Sequence, residues 1–133
     1  MSFSIPIRVY IEDTDAGGIV YYVNYLKFME RSRTEFFRGL GYHKVAILDG
    51  GLLLVVHAAE INYRRSARLD DELEATTQIT KLARSYVEFQ QQVLRGGELL
   101  CEGLVRVACV GAESMRPCAL PAEMHSKLQE FVH

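Results

Sequence analysis

The chain has 133 residues, of which 49% are hydrophobic and 24% charged, and its net charge is −2. This length fits one domain with a real core and leaves little room for a second. The composition excludes a largely disordered chain, and the slightly acidic balance excludes a general positive field for nucleic acid or an anionic membrane.

The predicted elements run as one strand, one long helix and then a series of strands. Ile5 to Ile11 alternates well enough for a first strand, and Asp13, Asp15, Gly17 and Gly18 then break it with loop chemistry. From about Tyr22 the period changes to that of a helix. Tyr25, Phe28, Met29, Ser32, Phe36 and Leu40 fall on one face, while Lys27, Glu30, Arg31, Arg33, Glu35 and Arg38 fill much of the remaining circumference. Gly39 and Gly41 are its stop signals. A buried face of about five turns needs something broad to cover it, such as a sheet.

After Gly50 and Gly51 come four candidate strands: Leu52 to Arg64, Glu72 to Lys81, Ser85 to Leu94 and Leu99 to Val110. Turn-like clusters separate them at Ser66 to Asp71, Ala83 to Arg84 and Arg95 to Glu98, with Gly96 and Gly97 suited to a tight hairpin. Connections this short pair strands antiparallel. Leu120 to Val132, after Pro117 and Pro121, closes the chain as a short helix. The expectation is an α+β fold with an antiparallel sheet wrapped around the long helix, and an edge strand free to pair with a second copy.

An apolar stretch around Leu52 to Ala59 falls far short of the roughly 20 residues that span a bilayer, and residues 1–7 lack the pattern of a secretory signal. A cytoplasmic protein without membrane insertion or nucleic-acid partner is expected. Cys101, Cys109 and Cys118 have no CxxC spacing and His125 completes no zinc pattern, so the thiols read as buried or neutral, with no metal site and no cofactor.

Chemistry concentrates between Glu12 and Tyr25, where two carboxylates and two glycines precede a helix. The unpaired N–H groups of a helix start suit a polarised carbonyl oxygen, and a nearby carboxylate can attack that carbonyl or deprotonate a water aimed at it. Taken alone, the same residues also describe a capped helix with a flexible turn before it.

The run EDTDAGGIVYYVNY followed by FMERSRTEFF resembles the active-site loop and helix of the hotdog-fold thioesterases related to 4-hydroxybenzoyl-CoA thioesterase, most closely the branch associated with the Tol-Pal system. The likeness continues through YRRSARLDD at Tyr63 to Asp71 and the ending at Arg116 to Pro121. It implies a hotdog fold with a five-stranded antiparallel sheet around a central helix. It also implies an acyl-CoA substrate, a homodimer or a dimer of dimers (a homotetramer), Asp15 as the catalytic carboxylate, and the backbone N–H of Tyr22 as the oxyanion contact. Gly17, Gly18, Val20 and Asn24 are expected around the substrate, and Arg84 and Ser85, near Lys81, at the nucleotide.

The Tol-Pal branch commonly carries His where this chain has Tyr22, and the 4-hydroxybenzoyl-CoA enzyme resembles this chain in having Tyr. A backbone contact survives that exchange. An imidazole's acid–base role does not, because a phenol titrates near about 10.

Among rivals, Asp13 and Thr14 read as residues hydrogen-bonded within the loop, and Asn24 as a polar residue at the helix start. His57 reads as a packed or edge histidine, and Tyr63, Tyr86 and Phe89 as core or pocket lining. Arg64, Arg65, Arg68 and Arg116 are further phosphate candidates that individually read as solvated charges. The alternative function is an acyl-CoA or acyl-carrier-protein binding or interaction module of envelope or lipid-synthesis machinery, without turnover. A dehydratase would need a paired His that the sequence does not supply.

Overall fold

The computed structural model describes residues 3–44 and 46–132. Six strands and two helices follow in chain order: β1 (Phe3–Arg8), α1 (Val23–Gly39), β2 (Ile47–Leu48), β3 (Leu52–Tyr63), β4 (Glu72–Leu82), β5 (Tyr86–Arg95), β6 (Glu98–Gly111) and α2 (Ala122–Gln129). All strands join one antiparallel sheet in the order β1-β4-β5-β6-β3-β2. The α+β hotdog class stands as expected from sequence, with six strands where five were expected. The extra one is the two-residue β2, too short to leave a period in sequence.

The first strand stops at Arg8, short of the expected Ile11, because residues 11–13 turn into a single helical turn of the tighter kind. The Arg95-Gly96-Gly97-Glu98 hairpin matches expectation: both glycines take positive φ, as a two-residue turn between twisted strands requires. Register shifts at Val56/Ala58, Ile79/Lys81 and Val93/Leu94 mark bulges, which bend strands and increase twist, so the sheet curls.

α1 lies over β4, β1 and β5 in the hollow of that curl. Tyr25, Phe28 and Met29 from its first half pack with Ile7, Val9 and Leu73, and Phe36 and Phe37 from its second half pack with Ile79, Phe89 and Leu128. Each such side chain contributes about 1.5–3 kcal/mol of apolar burial. A polar layer separates the halves: Ser32 Oγ bonds Ala75 O and Thr77 Oγ1, and Gln91 Nε2 bonds Met29 O and Thr77 Oγ1. Arg33, read from sequence as part of the charged circumference, is buried in this layer instead, because curled β5 brings Gln91 up to it.

β3 is paired along one side by β6 but along the other only by β2 at Leu52 and Leu53 and by the Ala46 carbonyl, which accepts the Leu54 N–H. From Val56 to Glu60 it is exposed. Among the described residues no strand covers that edge.

Candidate active site

The loop between β1 and α1 is a small hairpin. Thr14 pairs with Val20, the Asp15 N–H donates to Ile19 O, and the Gly18 N–H donates back to Asp15 O at 3.0 Å. Gly18 takes φ +79°, and a Cβ at this position would meet nothing within 4 Å, so the requirement for glycine is conformational. Gly17 N–H donates to Asp15 Oδ1 at 2.8 Å, which pins the exposed carboxylate at the turn while leaving Oδ2 outside any hydrogen bond among the described residues.

Three ties fix this hairpin to the fold. Asp13 is 4% exposed; its Oδ2 accepts the Tyr10 N–H at 2.9 Å and its Oδ1 accepts Asn24 Nδ2 at 2.8 Å. Its backbone carbonyl accepts the Tyr21 N–H, so one residue joins the end of β1, the loop and the first turn of α1. From the far side, the Val20 N–H donates to Ala67 O at 2.8 Å, and the Ala67 N–H donates to the Tyr25 hydroxyl at 2.9 Å. Burial raises the Tyr25 hydroxyl above its ordinary pKa, with the Ala67 N–H pulling the other way.

α1 begins immediately after this loop. Tyr22 is the residue before it, with helical φ and ψ and no side-chain cap, so the helix start leaves backbone donors open. The first donors after the loop with a backbone acceptor are Asn24, on Tyr21 O, and Tyr25, on Tyr22 O; among the described residues nothing accepts the N–H of Tyr22 or Val23. Tyr22 is 57% exposed, and its ring sits between Tyr21 (4.9 Å between centroids) and Tyr63 (6.1 Å).

The structure therefore sets Asp15, Gly17 and Gly18 at the turn of a hairpin whose end runs directly into Tyr22 and the start of α1. Asn24 is beneath them, bonded to Asp13, and the Val20 side chain is in the core under the loop. Ser85 is elsewhere. It lines a cleft of about 370 Å³ with His57, Tyr86, Arg106, Met115 and Pro117, and exposed Arg84 adjoins it in sequence. The Asp15 hairpin is tied to Ala67 and Arg68 shortly before β4, and Ser85 follows the opposite end of that strand. At about 3.3 Å per residue the two regions stand roughly 30 Å apart along the sheet.

Of the other basic candidates, Arg64 pairs with Glu102 and Arg65 with Glu98, while Arg68 and Arg116 enter no ion pair among the described residues. Lys81 lies over the Tyr86 ring. Sequence reasoning missed the Tyr25 hydroxyl as a loop anchor; its place in the apolar stripe showed only that it would be buried.

A curled antiparallel sheet around one long helix is the hotdog fold, and the thioesterase-like superfamily matches residues 9–128. The chain belongs to that superfamily and, within it, to the YbgC family of thioester hydrolases. It is 42% identical over 123 residues to the acyl-CoA thioesterase YbgC of Haemophilus influenzae, covering 92% of this chain and 90% of that protein. It is 39% identical over 129 residues to the acyl-CoA thioester hydrolase YbgC of Escherichia coli, covering 96% of each. Among solved structures, a probable thioesterase from Bartonella henselae superposes with a TM-score of 0.79 at 36% identity over 90% of this chain and 98% of that one. A 1,4-dihydroxy-2-naphthoyl-CoA thioesterase from Synechocystis, at 19% identity, shares the fold with a TM-score of 0.90 over 100% of this chain and 99% of its own.

Proposed function

We propose that the chain hydrolyses acyl-CoA thioesters at the rim formed by Asp15 and the start of α1. The observation that carries this reading is the union, in one hydrogen-bonded loop, of a pinned exposed carboxylate with two unpaired helix-start N–H groups. The thioester carbonyl oxygen accepts from Tyr22 N–H, with Val23 N–H beside it, and the donors strengthen their hold as negative charge develops there. Asp15 either attacks the carbonyl carbon, forming a mixed anhydride that water then opens, or takes a proton from a water that attacks directly. Both routes break the C–S bond, consume one water overall, and release CoA thiol and the carboxylic acid. Gly17 and Gly18 let the substrate approach, and Asn24 acts through Asp13 to hold the loop.

The CoA phosphates are assigned to Arg84 and Ser85, as charge-assisted bonds to exposed cations and hydroxyls suit them. The roughly 30 Å between this cleft and Asp15 in one chain, together with the open β3 edge, supports a homodimer in which one copy supplies Asp15 and the other the nucleotide contacts. On this reading the dimer, alone or paired into a tetramer, works in the cytoplasm beside the Tol-Pal system. No helix among the described residues is long and apolar enough to cross a membrane.

The test is thiol release from short-chain, long-chain and aromatic acyl-CoAs by wild type and Asp15→Asn. Turnover by wild type that the variant loses while folding normally is expected; a folded variant at the wild-type rate removes Asp15 from the mechanism. If wild type binds acyl-CoA and releases no thiol from any member, the binding-module reading replaces hydrolysis. In a single turnover in heavy-oxygen water, an unlabelled acid with the label left on Asp15 marks the nucleophilic route, in which water opens the anhydride at the Asp15 carbonyl.

A further inference from the structure

Arg33 takes no part in the proposed hydrolysis, yet at 8% exposure it is the only buried cation among the described residues. It forms no ion pair there. Nη1 donates to Gln91 Oε1 at 2.7 Å, and Gln91, itself fully buried, is fixed in that orientation because its Nε2 already donates to Met29 O, Thr77 Oγ1 and Thr76 O. A guanidinium carries five donors, so one neutral acceptor leaves most of them unmet. No fully buried side-chain nitrogen or oxygen among the described residues lacks a partner, so the remaining Arg33 nitrogens reach open space. That space is a cleft of about 210 Å³ walled by Phe37, Leu54, Val56 and Val107, with Glu30 and Thr34 beside Arg33.

The cleft lines up with the proposed reaction site. Tyr22, Leu26, Glu30 and Arg33 repeat at steps of four, four and three, which puts them on one helical face, and the 11 residues from Tyr22 to Arg33 span about 16 Å of helix. β3 borders the same face, with Tyr63 against Tyr22 at one end and Val56 in the cleft at the other. Ile61 and Ala59 occupy the positions between on that side of the strand. Leu26 and Val56 are both exposed in the single chain, Val56 at the β3 edge that the second copy of the proposed dimer borders.

We propose that the Arg33 cleft is a distal subsite for the acyl group, built for a chain whose far end carries a hydroxyl that accepts from Arg33 and donates to Glu30. The proposal rests on the thioester lying at Tyr22, which sets the direction of the groove. A plain hydrocarbon end would strip water from the guanidinium and return nothing, and a carboxylate end would face Glu30. A hydroxyl offers both a donor and acceptor lone pairs. Hydrogen bonds to charged groups discriminate by roughly ten- to a hundredfold in affinity.

The experiment uses non-hydrolysable thioethers of CoA, in matched pairs with and without a terminal hydroxyl, on octyl, decyl and dodecyl chains, with binding measured by calorimetry. The hydroxylated member of at least one pair is expected to bind about tenfold tighter or more, with the preference peaking at one chain length and disappearing in Arg33→Met. Equal or weaker binding of the hydroxylated member at every length overturns the proposal, and the wild-type comparison alone decides this if the variant does not fold. A preference that persists unchanged in folded Arg33→Met also overturns it. Because no turnover is involved, these outcomes are scored apart from thiol release, whose failure would count against Asp15 hydrolysis.

Discussion

Asp13 and Asp15 are chemically alike, two residues apart, and assigned opposite tasks; exchanging the side chains of Asp13 and Asn24 distinguishes the tasks. In the native loop Asp13 accepts both the Tyr10 N–H and Asn24 Nδ2. Asp13→Asn must turn an NH₂ group toward one of these donors, losing one hydrogen bond to a buried charge, a change of about 1.5–3 kcal/mol. At about 2.1 cal/mol/K of unfolding entropy per residue, a chain of this length shifts by roughly 3.6 °C per kcal/mol, so Tm should fall by about 5–11 °C. The double variant Asp13→Asn with Asn24→Asp restores complementarity: the amide introduced at position 13 would accept from the Tyr10 N–H and donate to the new carboxylate. That carboxylate then lies in the first turn of α1, where the helix dipole favours it. A double-mutant cycle by thermal melting should give a coupling of about 1–3 kcal/mol, and thiol release should recover with stability. Additive melting shifts would refute the structural role of Asp13. Recovery of stability with activity still absent would show that Asp13, rather than Asp15 alone, is needed for the chemistry.

Three further outcomes follow from the packing. Tyr25→Phe removes the acceptor of the buried Ala67 N–H and should cost about 1–3 kcal/mol in urea melts, with kcat falling more than KM changes, because the Ala67 carbonyl holds Val20 and the hairpin. Gly103→Ala would place a carbon 2.5 Å from Ile61 Cδ1 and 3.0 Å from Glu60 O; since the second contact is backbone, a loss of about 1–3 kcal/mol is expected by denaturant titration. Burial pushes the Cys101 thiol up to about 12, so in the folded protein at pH 8 it should resist a disulfide-exchange reagent that reacts with it after unfolding. Reaction of native Cys101 at the unfolded rate would contradict its burial.

Local patterns in the chain carried most of the architecture. The change from period two to period 3.6 at Tyr22, the paired glycines at 96 and 97, and the alternation from Glu72 to Val110 each report a preference that neighbouring residues settle among themselves. The acidic loop before the helix was equally visible, since it is contiguous. β2 escaped because two residues form a strand only when β3 offers them a partner. Tertiary structure alone decided which carboxylate is buried and which is exposed, because Asp13 depends on Tyr10 and on Asn24, 11 positions away. It alone separated Ser85 from the Asp15 hairpin by the length of β4 and set Tyr25 beneath Ala67. Arg33 shows the same division most clearly. By helical position it belonged with the solvated charges, and only the curl of the sheet, by bringing Gln91 from 58 residues away to its guanidinium, drew it into the core. Sequence periodicity reports how each segment meets a generic interior. The partners that make burial of a charge tolerable come from distant strands, and they are known only once the sheet has closed around the helix.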